Sequence, residues 1–146
     1  MIGNVRSKMA KTGAAALLMT GAFATPALAQ TDPNAAEIAA LVAGREDCPP
    51  RYACLWVHAN WSGSRWQGQD NNPTLPSFID MKASSTYNNG INCPVHFDTV
   101  RGYGGHVMAE GLGSYRQNLA LNPIPNGNGP HDNFNDRFRS MYWCSR

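Results

Sequence analysis

Short runs of β-branched and aromatic residues alternate along this chain with clusters of Gly, Pro and Asn. Residues 53–58, 84–87, 94–99, 106–109 and 140–144 read as strands. Turn residues bound each of them, and no long amphipathic helix lies among them. The pattern predicts an all-β fold, an antiparallel sandwich or barrel. Residues 31–47 differ in composition from residues 48–146. Asn34-Ala35-Ala36-Glu37 has capping-box spacing, and Ile38, Leu41 and Val42 share one helical face. A short N-terminal helix of about two turns is expected there, ended by Gly44, as a spacer or lid on the domain.

Before that helix the periodicity gives way to a continuous apolar run, Gly13 to Ala24, preceded by Arg6, Lys8 and Lys11 and followed by Ala27-Leu28-Ala29. This order reads as a secretion signal cleaved after Ala29; the run is too short to span a bilayer comfortably. The domain organisation expected is therefore a signal over 1–29, a linker with the short helix over 30–47, and one domain over 48–146. Removing the signal changes the charge. The full chain carries 12 basic and 10 acidic residues, and loss of the three signal cations leaves nine against ten. Nothing then argues for nucleic acid or an anionic membrane as partner. A secreted, extracellular monomer is expected. Cys48, Cys54, Cys93 and Cys144 would all meet an oxidising compartment, where they read as two disulfides.

A degenerate repeat organises the chain. Trp56, Trp61 and Gly63 are echoed by Phe97, Tyr103 and Gly105. Phe78, Asp80, Ser84 and Tyr87 are echoed by Phe134, Asp136, Ser140 and Trp143. The first spacing is 42 residues and the second 56, which puts 14 extra residues in the second half; Asn122 to Pro130, turn chemistry throughout, is expected to be their exposed loop. An aromatic closely followed by Gly suits a tightly folded hairpin, with the ring packed over the bend. Ser84 and Ser140 are expected to hydrogen-bond into those hairpins.

The segments Cys48-Pro49-Pro50-Arg51-Tyr52-Ala53-Cys54-Leu55-Trp56, Trp61-Ser62-Gly63, Ser84-Ser85-Thr86-Tyr87-Asn88-Asn89 and Phe134-Asn135-Asp136-Arg137-Phe138-Arg139-Ser140 together resemble the secreted actinobacterial metalloproteinase-inhibitor family. The resemblance implies a βγ-crystallin-like Greek-key sandwich. It also implies inhibition of an extracellular, thermolysin-like metalloprotease by a substrate-like loop beside a disulfide cysteine. The corresponding stretch is Asn88 to Val95, with Asn92, Cys93, Pro94 and Val95 as the reactive residues. The family places an apolar residue directly after the cysteine. Pro94 stands there instead, without an N–H and with fixed φ, and Val95 offers the apolar anchor in a shifted register. Expected disulfides are Cys48–Cys54, close in sequence with two prolines turning the chain, and Cys93–Cys144, joining the loop to the last strand.

Crystallin-type domains bind calcium through Asn/Asp-Asn/Asp-x-x-Ser/Thr-Ser. Ile79 to Ser84 lacks the first and fifth positions of that pattern and Asn135 to Ser140 the fifth, where Arg139 stands, so Asp80 and Asp136 are expected to cap turns. His58, His96, His106 and His131 lack metal-ligand spacing, and no catalytic signature surrounds the Ser, His and Asp residues. No metal, cofactor or enzymatic activity is expected. The alternative reading is a non-inhibitory crystallin-like module binding a cell-wall glycan or a protein partner, with Trp56, Trp61, Trp66 and Trp143 as a stacking surface.

Overall fold

A computed structural model describes residues 44–129 and 131–145. The proposed signal and most of the proposed N-terminal helix lie outside the described residues. Residues 44–46 are helical, so Gly44 does not end a helix; its close approach to the Trp61 carbonyl, 2.5 Å from where a Cβ would sit, excludes a side chain there.

Among the described residues, seven strands form two antiparallel sheets. They are β1 (Ala53–His58), β2 (Ser62–Gly68), β3 (Ser85–Asn88), β4 (Val95–Val100), β5 (Gly104–Glu110), β6 (Tyr115–Arg116) and β7 (Ser140–Trp143). One sheet has the order β2-β1-β3-β6 and the other β5-β4-β7. The halves exchange material. β6, from the second half, pairs with β3 of the first, and Asn72, from the first half, bridges Met141 in β7. Both β1 and β4 bulge at the same point, between Trp56 and His58 and between Asp98 and Val100. This is a pair of Greek keys folded as a sandwich, as the family resemblance implies.

The core fills the space between the sheets. Ala53 and Leu55 of β1, Val95 and Phe97 of β4, Met141 of β7, and Leu75, Ile79, Phe134 and Phe138 from the connections meet there. Period-2 alternation along β1 sends Cys54 and Trp56 to the opposite face. That face is covered too, by Cys48 and Trp61, with Arg45 lying 4.9–5.7 Å from the Trp61, Tyr87 and Tyr115 ring centres.

The hairpin repeat holds, with two corrections. The bulges align Trp56 with Asp98, so the counterpart of core Phe97 is core Leu55 and not Trp56. Gly63 and Gly105 adopt φ of 76° and 75°, closed to most side chains, after Trp61 and Tyr103 at 53° and 68°. The serine that ties the first hairpin is Ser85, not Ser84. Its hydroxyl accepts from the Trp61 N–H at 3.1 Å and donates to the His58 carbonyl at 2.7 Å. Ser140 does the same for Tyr103 and Val100, at 3.1 and 2.7 Å. The second spacing is therefore 55 residues, and the partner of buried Phe134 is buried Ile79, while Phe78 is exposed. The second half's insertion is not wholly a surface loop: Ile124 is buried and its N–H bonds the Asp132 carbonyl.

Candidate functional site

The loop between β3 and β4 sits at one end of the sandwich, and both disulfides converge on it. Cys93 is bonded to Cys144, and Cys48 to Cys54. Asn88, fully buried, is its base. The Asn88 amide donates to the Glu110 carbonyl at 2.8 Å, linking the sheets, and its side-chain oxygen accepts the Gly90 N–H at 2.8 Å. Asn89 is held by the first disulfide hairpin: its amide donates to the Cys48 carbonyl at 2.8 Å, and its backbone pairs with Tyr52 and Arg51. Gly90 packs so tightly on the Trp143 ring that a Cβ would lie 2.6 Å away. On the far side, the Pro94 carbonyl accepts the Cys144 N–H at 2.9 Å.

The four residues singled out in the sequence therefore share this end, but not one role. Asn92 and Pro94 are exposed and Cys93 is half-buried. Val95 is fully buried, paired with Glu110 on one side and Trp143 on the other. Its side chain belongs to the core and is not displayed. The reason lies in β-alternation: Val95 and Phe97 face inward together, and a shift to a displayed Val95 would turn Phe97 out as well. Sequence reasoning passed over Ile91, which is 55% exposed. An isolated isoleucine between Gly90 and Asn92 is the signal that pointed to it. Beside the loop lies an open depression of about 700 Å³, lined by Arg51, Gln69, Asp70, Asn71, Ile91 and Trp143 among others.

The calcium-type segments lie elsewhere and fall in a different register from the one read in sequence. With Ser85 equivalent to Ser140, the first segment is Asp80 to Ser85, matching Asn135 to Ser140. Met81 then breaks the pattern in the first half and Arg139 in the second. The Arg139 guanidinium bonds Asp80 at 3.2 Å, with Arg101 on the same carboxylate. Partial burial raises the Asp80 pKa, but hydrogen bonds and charge from Arg139 and Arg101 outweigh it and hold the carboxyl below its ordinary value. Asp136 is pushed up, chiefly by burial, against a hydrogen bond from Ser84 and the charge of His58. Among the described residues no three His, Cys, Asp or Glu side chains cluster to hold a metal.

Two Greek keys that exchange a strand, each tied by a hairpin serine, define a βγ-crystallin-type domain. Solved structures share it. One, described under the evolution of the eye lens βγ-crystallin domain fold, is 19% identical with a TM-score of 0.55, covering 68% of this chain and 91% of its own. A βγ-crystallin from an archaeon is 17% identical with a TM-score of 0.50, covering 66% of this chain and all of its own. One from Ciona intestinalis is 14% identical with a TM-score of 0.50, over 64% and 99%. Within that class, residues 42–110 match peptidase inhibitor family I36. The matched span runs through β5 and contains the β3–β4 loop. No curated protein matches the chain.

Proposed function

We propose that the protein is a secreted inhibitor of an extracellular metalloprotease of the thermolysin-like class, acting through the disulfide-held loop over residues 88–95. The observation that carries this reading is the contrast within the loop. Asn88, Asn89 and Pro94 are hydrogen-bonded into the domain, and between them Ile91 and Asn92 stand exposed. A substrate-like segment docks by pairing its backbone with an enzyme strand. Holding both ends in advance lowers the ordering cost of that docking. Secretion is supported by the N-terminal pattern and by two disulfides, which persist in oxidising compartments.

The tryptophans offer the glycan-binding alternative no stacking surface of several rings. Trp56, Trp61 and Trp66 are buried, the Trp61 indole N–H is spent on the Thr86 carbonyl at 3.1 Å, and of the four only half-buried Trp143 borders the depression beside the loop. The test is an inhibition assay of the protein lacking residues 1–29 against a thermolysin-like metalloprotease, with a serine protease alongside. Tight inhibition of the metalloprotease alone is expected. Inhibition of only the serine protease would move the target class, and inhibition of neither would sink the reading.

A further inference from the structure

We infer that the protease-facing register of the loop is Gly90 to Cys93, with Ile91 as its anchor, and that the partner offers an apolar pocket shaped for a branched aliphatic side chain. This rests on the inhibitory reading above but departs from the register that the sequence resemblance implies, in which contact comes after Cys93.

Three observations converge. The first is side-chain availability. Ile91 is 55% exposed, whereas Val95 is 0% exposed and lies in β4 between Glu110 and Trp143. The second is the backbone. From Asn88 to Gly90 the N–H groups and the Asn88 and Asn89 carbonyls are bonded within the domain, and the Cys93 and Pro94 carbonyls accept from the Asn88 amide and the Cys144 N–H. Between these, the Gly90 carbonyl, both polar backbone groups of Ile91 and of Asn92, and the Cys93 N–H have no partner among the described residues. Those are the groups an enzyme strand would pair. Pro94, with no N–H, closes the available run. The third is support. Gly90 is fixed against Trp143 and Asn88, and Cys93 is fixed by its disulfide, so the free run is short and held at both ends.

An apolar side chain on such a run gains from burial in a matching pocket, and a carboxylate in its place meets a large desolvation cost. The same geometry restricts the partner: a cleft built for an aromatic or basic side chain would leave the isoleucine poorly packed or facing a charge.

The experiment compares Ile91→Asp, Ile91→Leu and the remote exposed substitution Leu121→Asp in the protein lacking residues 1–29. Inhibition constants are measured against the thermolysin-like metalloprotease, and backbone amide exchange is followed in the complex. Ile91→Asp should weaken inhibition by about 30-fold or more, the scale of an interface hot spot. Ile91→Leu and Leu121→Asp should remain within a few-fold, and the Ile91 and Asn92 amides should be protected in the complex. Wild-type inhibition that survives Ile91→Asp, or amides left unprotected, overturns this register while inhibition itself stands. A wild-type protein that inhibits nothing overturns the inhibitory reading and this inference with it.

Discussion

Met81 and Asp136 answer each other across the molecule. Both take left-handed backbone, with φ of 56° and 55°. The Met81 N–H donates to the carbonyl of Phe138, two residues past Asp136, at 2.9 Å, and the Asp136 N–H donates to Ala83, two residues past Met81, also at 2.9 Å. The relation is reciprocal, so it fixes the equivalence of the two halves residue by residue. It also places Asp80 and Asp136 at unequal positions of the repeat, although both are aspartates four or five residues ahead of a tying serine.

That inequality predicts opposite responses to pH. The folded pKa of Asp80 is depressed, so its contribution is present above the unfolded value and is lost as pH falls through the folded one. Asp80→Asn should destabilise the protein at neutral pH, by about 1 kcal/mol on the scale of partly exposed ion pairs, and converge with wild type well below about pH 4. The folded pKa of Asp136 is raised, so its ionised form costs stability above that pKa and the cost disappears below the unfolded value. Asp136→Asn should equal or exceed wild type at neutral pH and lose that advantage in acid. Urea denaturation from pH 3 to 7 distinguishes the two; the same sign for both variants at neutral pH would refute the assignment.

The hairpin serines predict a second contrast. Ser85 and Ser140 are fully buried, and each both accepts and donates within its hairpin. Replacing either by Ala strands the N–H of Trp61 or Tyr103, at a cost of about 2 kcal/mol. Ser84 is half-buried and donates to Val57 at 3.1 Å without tying a hairpin N–H. Ser84→Ala should cost less than about 1 kcal/mol. Equal losses for Ser84→Ala and Ser85→Ala, read from denaturation midpoints, would return the tie to Ser84.

The disulfides differ in access. Cys48 and Cys54 are both buried, while Cys144 is exposed and Cys93 half-buried. Mild reduction should open Cys93–Cys144 first, because thiol exchange requires approach to a sulfur. Chain entropy gives about 4 kcal/mol for the bridge spanning 51 residues and roughly 2 kcal/mol for the one spanning 6. The partly reduced protein should remain folded but lose rigidity over residues 90–93. Alkylation and peptide mass mapping after graded reduction check the order. Modification of Cys48 and Cys54 ahead of the other pair would contradict it.

Most of the sandwich was legible because β1, β3, β4, β5 and β7 carry β-formers between turn residues. β2 was not: Ser62-Gly63-Ser64-Arg65-Trp66-Gln67-Gly68 has one apolar side chain, and it is a strand because β1 supplies its partners from Ala53 to His58. β6 is two residues long and exists by exchange into the other half's sheet, a relation no local pattern carries. The loop was legible as a place, since Asn, Gly and Cys mark it. Its display was not, because whether Ile91 or Val95 faces solvent depends on where β4 begins its alternation. A one-residue slip in the repeat likewise sent the serine tie and the calcium-type register to the wrong neighbours.

Val95 supplies the sharpest test of that alternation. The shifted substrate-like register would make it the displayed anchor, whereas the structure buries it fully. Val95→Asp would set a carboxylate among Ala53, Phe97 and Met141 in the core. The cost is roughly 4 kcal/mol or more, a large share of the 5–15 kcal/mol that holds a domain of ordinary stability. The denaturation midpoint should fall steeply, and inhibition and the near-ultraviolet circular dichroism should be lost together at a lower denaturant concentration than in the wild type. Pro94→Val is the companion. Pro94 is exposed and contributes a carbonyl that valine keeps, so stability should change by no more than about 0.5 kcal/mol. A Val95→Asp protein that unfolds cooperatively at the wild-type midpoint would show that Val95 is not core, and the anchor of the loop would revert from Ile91 to Val95.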